Sequence, residues 1–117
     1  MEFYEHKPIY LQIADRVCEY ILNGEWTEEE RIPSVREMGI NLGVNPNTVM
    51  RTFEYLQNAQ IIYNRRGVGY YVTHGASDHI KTIQKEEFLK EELPRLIKKM
   101  DMLGLKPSDL FRDKKYN

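Results

Sequence analysis

The sequence predicts a mainly α chain with one small β-hairpin and a separate helical tail, and three observations carry that expectation. Apolar residues recur at helical spacing in three runs between Ile9 and Leu56. Two short β-prone runs then flank a glycine-containing turn, Arg65-Arg66-Gly67-Val68-Gly69. Beyond Asp78 the composition shifts to Lys, Glu and Leu with a further helical stripe.

The first helix is read from Ile9 to Asn23. Ile9, Ile13, Val17 and Ile21 recur every fourth residue, with Tyr10, Ala14, Cys18 and Leu22 beside them, which makes a broad apolar stripe. Asn23-Gly24 stops it, because Gly accepts the left-handed conformation that ends helices. A polar loop, Glu25 to Arg31, carries Trp26, which is expected to cap the core between the first helix and the hairpin. Ser34 and Glu37 then form a capping box at the start of a second, short helix. Its inward residues are Val35, Met38 and Leu42, and Gly43 ends it. Asn45 is the N-cap of a third helix and Pro46 its first residue, where the missing N–H costs nothing. Val49, Phe53 and Leu56 are its buried stripe.

Ile61 to Asn64 and Tyr70 to Thr73 are the hairpin strands, and His74-Gly75-Ala76-Ser77 reads as a linker. The tail stripe is Ile80, Ile83, Leu89, Leu93, Leu96, Ile97, Met100 and Leu103, ended by Gly104. Pro94 lies inside it and is expected to kink or divide the helix. Lys106 to Asp109 opens one more short turn through Phe111, and Asp113 to Asn117 are expected to fray. The domain reading is therefore residues 1–75 followed by a tail at 76–117.

Composition narrows the function classes. With 117 residues, 41% of them hydrophobic, the chain supports a core without disulfide or metal staples, and its single cysteine, Cys18, has no partner in the chain. His6, His74 and His79 share no metal-ligand spacing, so no metal is expected. No nucleophile–base pair or phosphate loop is visible, so no catalytic residue can be named and the chain is read as a non-enzyme. There is no secretory signal pattern and no apolar run of membrane-spanning length, so a reducing cytoplasm fits. The net charge of −1 is unevenly spread. Residues 31–66 hold Arg31, Arg36, Arg51, Arg65 and Arg66 against Glu37 and Glu54, whereas residues 1–30 are strongly acidic. A locally basic face is what a phosphate backbone would feel, although scattered surface charge would look the same.

Helix, helix, turn, helix and hairpin in this order are the winged helix-turn-helix pattern, in which the third helix enters a DNA major groove. Under that reading Ser34 and Arg36 could hold a phosphate at the start of the second helix, and Ser34 reads equally as a cap. Asn45, Asn47, Thr48 and Arg51 lie at the front of the third helix, with Asn45 as a plain N-cap and Arg51 in a solvent ion pair as the rival readings. Arg65, Arg66 and Gly67 form a cationic tip suited to phosphate or a narrow minor groove.

The residues themselves resemble a known family. Pro8-Ile9-Tyr10-Leu11-Gln12-Ile13, then IPSVREMGINLGVNPNTVMRTFEYLQNAQII over 32–62 and GVGYYV over 67–72, are similar in order and spacing to the GntR family of bacterial transcription factors. Asn45-Pro46-Asn47-Thr48 and the short tail resemble its YtrA-type branch. The resemblance implies a homodimer, paired through the tail, that binds an inverted-repeat operator in double-stranded DNA and represses by covering a promoter. It also implies that Arg36 contacts DNA. It implies no cofactor, and a small-molecule effector, if one exists, would have to use the dimer interface. Several positions depart from the pattern. Gly39 stands where Ala is usual, Gln60 and Glu29 stand where Gly is usual, and Pro46 and Met50 occupy positions that many members fill with Arg. The alternative is a winged-helix module that binds protein and not DNA.

Overall fold

The computed structural model describes residue 3 and residues 6–111; the expected fraying at Asp113–Asn117 falls outside the described residues. The elements are α1 (Ile9–Leu22), α2 (Val35–Leu42), α3 (Pro46–Asn58), β1 (Ile62–Arg65), β2 (Gly69–Val72), α4 (Ala76–Glu87), a π-helical turn (Phe88–Glu92), α5 (Leu93–Met102) and α6 (Pro107–Phe111). They divide into two compact units between Lys81 and Thr82.

The first unit is a winged helix-turn-helix. Pro8 precedes α1 with no side chain to cap it, and Gln12, buried one turn in, donates from Nε2 to the Lys7 carbonyl at 2.7 Å, which ties the entering chain to the helix. At α2 the capping box is complete, with Glu37 N–H donating to Ser34 Oγ at 3.1 Å and Ser34 N–H to Glu37 Oε1 at 3.2 Å. The corner to α3 is tight. Val44 N–H donates to the Gly39 carbonyl at 2.9 Å, and a Cβ on Gly39 would sit 2.9 Å from the Val44 carbonyl oxygen. That approach accounts for a glycine inside a helix, where it ordinarily costs about 0.5–1 kcal/mol against Ala. Ile13, Val17, Val49, Phe53 and Leu56 are buried where α1 and α3 cross.

The strands pair antiparallel, with Ile62 opposite Val72 and Arg65 opposite Gly69, so the hairpin loop is Arg66-Gly67-Val68. Val68 N–H closes it on the Arg65 carbonyl at 2.9 Å. The segment before α2, read from the sequence as a polar loop, extends the sheet at its end. Arg31 bridges to Tyr71, Ile32 N–H donates to the Tyr70 carbonyl at 2.9 Å and Val72 N–H to the Glu30 carbonyl at 3.0 Å. An isolated two-stranded hairpin is marginal in water, and this third edge supports it. Ile62 and Val72 face the core, and Tyr70 meets Phe53 edge to face at 4.8 Å, which ties the wing to α3. Trp26 makes its ring contact with Tyr20 of α1, at 4.9 Å.

Two boundaries differ from the sequence reading. Ala76 is buried and begins α4, so the expected linker shrinks to His74-Gly75, held by Glu28, which accepts from Gly75 N–H at 2.8 Å and faces His74 Nδ1 at 3.1 Å. The helical run is divided near Pro94, one of the two outcomes expected, but by a change of helix type and not by a stop. Proline lacks an N–H and crowds the carbonyl four residues back, and here the preceding turn widens to π geometry at Phe88–Glu92 before α5 continues.

Glu29 and Gln60 hold φ of +66° and +61°. Both stand where the resemblance expects Gly, and the left-handed conformation costs a side chain roughly 1–2 kcal/mol. Gln60 is exposed. Replacing it by Gly should stabilise the fold by about 0.5–1 kcal/mol after the entropy of a freer unfolded chain is subtracted. Urea unfolding checks this, and a loss of stability would show that the Gln60 side chain contributes more than its strain.

Candidate nucleic-acid interface

Three structural features present the residues singled out from the sequence. At the start of α2, Ser34 Oγ accepts from Glu37 N–H, and Arg36 is exposed. Glu37 is held below the usual carboxylate range, first by the Ser34 backbone N–H, then by the Ser34 hydroxyl, with Arg31 adding attraction against a small desolvation penalty.

On α3, Val49, Thr52, Phe53 and Leu56 are buried, and Asn47, Met50, Arg51, Glu54 and Asn58 lie exposed on the opposite side. Asn45 caps the helix, its Oδ1 accepting from Asn47 N–H at 2.8 Å, so that oxygen is engaged, while its amide N–H₂ has no partner among the described residues. Asn47 keeps its whole side chain exposed and Thr48 is half-buried. Arg51 lies with its guanidinium 4.1 Å from the centre of the Tyr10 ring, and Tyr55 meets that ring edge to face at 6.4 Å. At that distance the cation is attracted by the face of the ring. Among the described residues Arg51 makes this aromatic contact and not the solvent ion pair of the rival reading.

At the wing, Arg66 and Gly67 occupy the exposed loop, with Gly67 at φ +78°, a conformation glycine adopts without strain. Arg65 sits one step back, over the Tyr71 ring at 5.0 Å, and Tyr71 is stacked on Tyr63 at 5.7 Å. Tyr63 donates its hydroxyl to Glu29 at 2.8 Å, and this bond to a carboxylate raises the phenol above its ordinary pKa.

Sequence reasoning missed Thr52, which positions α3. It is fully buried and donates to the Tyr10 carbonyl at 2.8 Å, locking α3 to the start of α1. The signal was a polar residue inside the Val49–Leu56 stripe. Thr52→Val keeps the shape and removes the bond, so a loss of about 1 kcal/mol is expected in chemical denaturation. No measurable loss would mean that the bond is not a net contributor.

Of the residues expected to pair two copies, Ile80 belongs to the first unit and is 1% exposed, and Met100 is also buried, so neither is open to a partner. In the second unit Leu89, Leu96, Ile97 and Leu103 are exposed, by 59%, 49%, 44% and 64%, and Ile83 and Leu93 are half-buried. Phe88, Met102 and Phe111 add exposed apolar surface that the stripe did not include. Among the described residues no group of His, Cys, Asp and Glu could hold a metal, and no helix is long and apolar enough to cross a membrane.

Residues 9–72 match the family model described as bacterial regulatory proteins, gntR family. The chain is 37% identical to the HTH-type transcriptional regulator YhcF of Bacillus subtilis (strain 168), over 93% of this chain and 88% of that protein. It is 36% identical to the HTH-type transcriptional repressor YtrA of the same organism, over 77% of this chain and 68% of YtrA. Among solved structures, a transcriptional regulator of the GntR family from Bacteroides thetaiotaomicron superposes with a TM-score of 0.73 at 49% identity, covering 87% of this chain and 88% of its own.

Proposed function

The chain belongs to the gntR family of bacterial regulatory proteins, and we propose that it is a homodimeric transcriptional repressor that binds an inverted-repeat operator in the cytoplasm. The carrying observation is the polarity of α3. One side is locked into the core by Val49, Thr52, Phe53 and Leu56, and the other offers Asn47 and Arg51 from its first two turns. An amide on an exposed helix front can bond a base edge, and a stacked guanidinium is pre-organised for a base or a phosphate. Arg36 and Arg66 supply charge at a helix start and a wing tip, where backbone contacts set register without reading sequence. The net charge of −1 does not oppose this, because the excess of acidic over basic residues lies in residues 1–30.

Two copies are needed because one small module gives limited affinity, and linking two half-sites multiplies it. The exposed Leu89, Leu96, Ile97 and Leu103 are the surface we assign to pairing. Repression through promoter occlusion is the reading that requires nothing beyond DNA binding.

Selection of bound sequences from random duplex DNA tests the proposal. Enrichment of an inverted repeat with half-site centres about one helical turn, or a multiple of it, apart is expected. Recovery of no preferred sequence would favour a winged-helix module that binds protein, the reading to which Pro46 and Met50, in place of arginines, would then point.

A further inference from the structure

We propose that Arg31 and Arg65 form a clamp on the outer face of the wing that holds one backbone phosphate of the bound duplex, extending the interface beyond the wing tip. The inference rests on the DNA-binding reading above and adds a residue, Arg31, that neither the helix front nor the wing tip contains.

The sheet register puts the two side chains on the same face. Arg31 bridges to Tyr71, Tyr71 pairs with Tyr63, and Gly69 pairs with Arg65. Side chains alternate along a strand, so Tyr63 and Arg65 share a face with their partners Tyr71 and Gly69. The opposite face holds the buried Ile62 and Val72, so this one looks outward. Gly69 makes the approach possible. A Cβ there would lie 2.9 Å from Arg31 Nε and 3.4 Å from Nη2, so the guanidinium occupies the space that any other residue would fill. Arg65, directly across from Gly69, lies over the Tyr71 ring at 5.0 Å.

Two cations are therefore gathered around one glycine, above an aromatic floor. Neither is ion-paired among the described residues. Both are exposed. Like charges held side by side repel, and a shared anion between them relieves that repulsion. A guanidinium carries five N–H donors in a planar fork, and these suit phosphate oxygens. The place also fits a duplex. Arg31 is close enough to Glu37, at the start of α2, to attract its carboxylate, so it stands between that helix start and the wing, the two features assigned to the backbone.

The test is a salt titration of the full chain on a labelled random-sequence duplex of about 30 bp, from about 0.05 to 0.2 M monovalent salt. Wild type, Arg31→Ala, Arg31→Lys, Arg65→Ala and the Arg31→Ala/Arg65→Ala double variant are compared, with thermal midpoints measured for each. Each alanine variant should lower the slope of log K against log salt by about 0.9, which is about an eightfold loss at 0.1 M. The double variant should lower it by no more than one alanine variant does, because the two residues share a phosphate. Arg31→Lys should keep the wild-type slope, a rescue that a purely structural role for the guanidinium would not give. A salt-dependent wild type with an unchanged slope in Arg31→Ala overturns the clamp alone, as does a double variant that loses twice the single value. A wild type that does not bind the duplex overturns the DNA reading and the clamp with it. If Arg31→Ala melts early, Arg31→Gln against Arg31→Lys makes the same charge comparison with long side chains.

Discussion

Deleting residues 82–117 is expected to leave a folded monomer whose affinity for a two-half-site duplex falls by about a hundredfold or more, the usual scale of avidity between linked sites. The cut belongs after Lys81 and not at the apparent linker. Ala76 and Ile80 are buried in the first unit, and a truncation at residue 76 would remove them and open its core. Sedimentation should give a monomer with a wild-type helical spectrum, and binding to a single half-site should be nearly unchanged. A truncated chain that still dimerises would place the interface in the winged unit. Leu96→Ala separates pairing from folding within the full chain. At 49% exposure its loss should cost the isolated monomer about 0.5 kcal/mol or less, whereas burial in a dimer would raise the cost to roughly 2–4 kcal/mol. An effect that does not depend on protein concentration would contradict pairing at Leu96.

The second large effect is expected on the helix front. Asn47→Ala should cost on the order of 1–3 kcal/mol on the selected operator and little on random duplex. Arg66→Ala should weaken binding to both and lower the salt slope by about one unit. Both residues are exposed, so thermal stability should not change. Equal weakening on both duplexes by Asn47→Ala would show that α3 touches the backbone without reading bases.

How much of this was legible depended on whether the deciding interaction was local. α1 was readable from its apolar period, and α2 and α3 because their caps lie within three residues of what they cap: Ser34 with Glu37, and Asn45 with Asn47. The hairpin was readable from Gly67 and Gly69, to within one residue at each strand. What escaped depends on partners distant in sequence. Tyr10 gives no sign of receiving the Arg51 guanidinium, and an arginine in a polar loop gives none of crossing to Gly69. Ala76 and Ile80 occupy the same Lys/Glu-rich stretch as the exposed tail residues, so composition placed the boundary too early. Pro94 was noticed, but its outcome is not a local property. A kink and a π turn both accommodate the proline ring and the carbonyl it leaves without a donor. Glu29 and Gln60 were visible only as departures from an expected glycine, and the structure gives those departures a cause in positive φ.

The most direct test of the account is the ratio of wild-type affinities for the selected operator and for a shuffled duplex of the same composition, measured at one salt concentration near 0.15 M. Base reading by α3 predicts a preference of about a thousandfold or more. A ratio near one would contradict it, leaving a protein that holds the backbone at most.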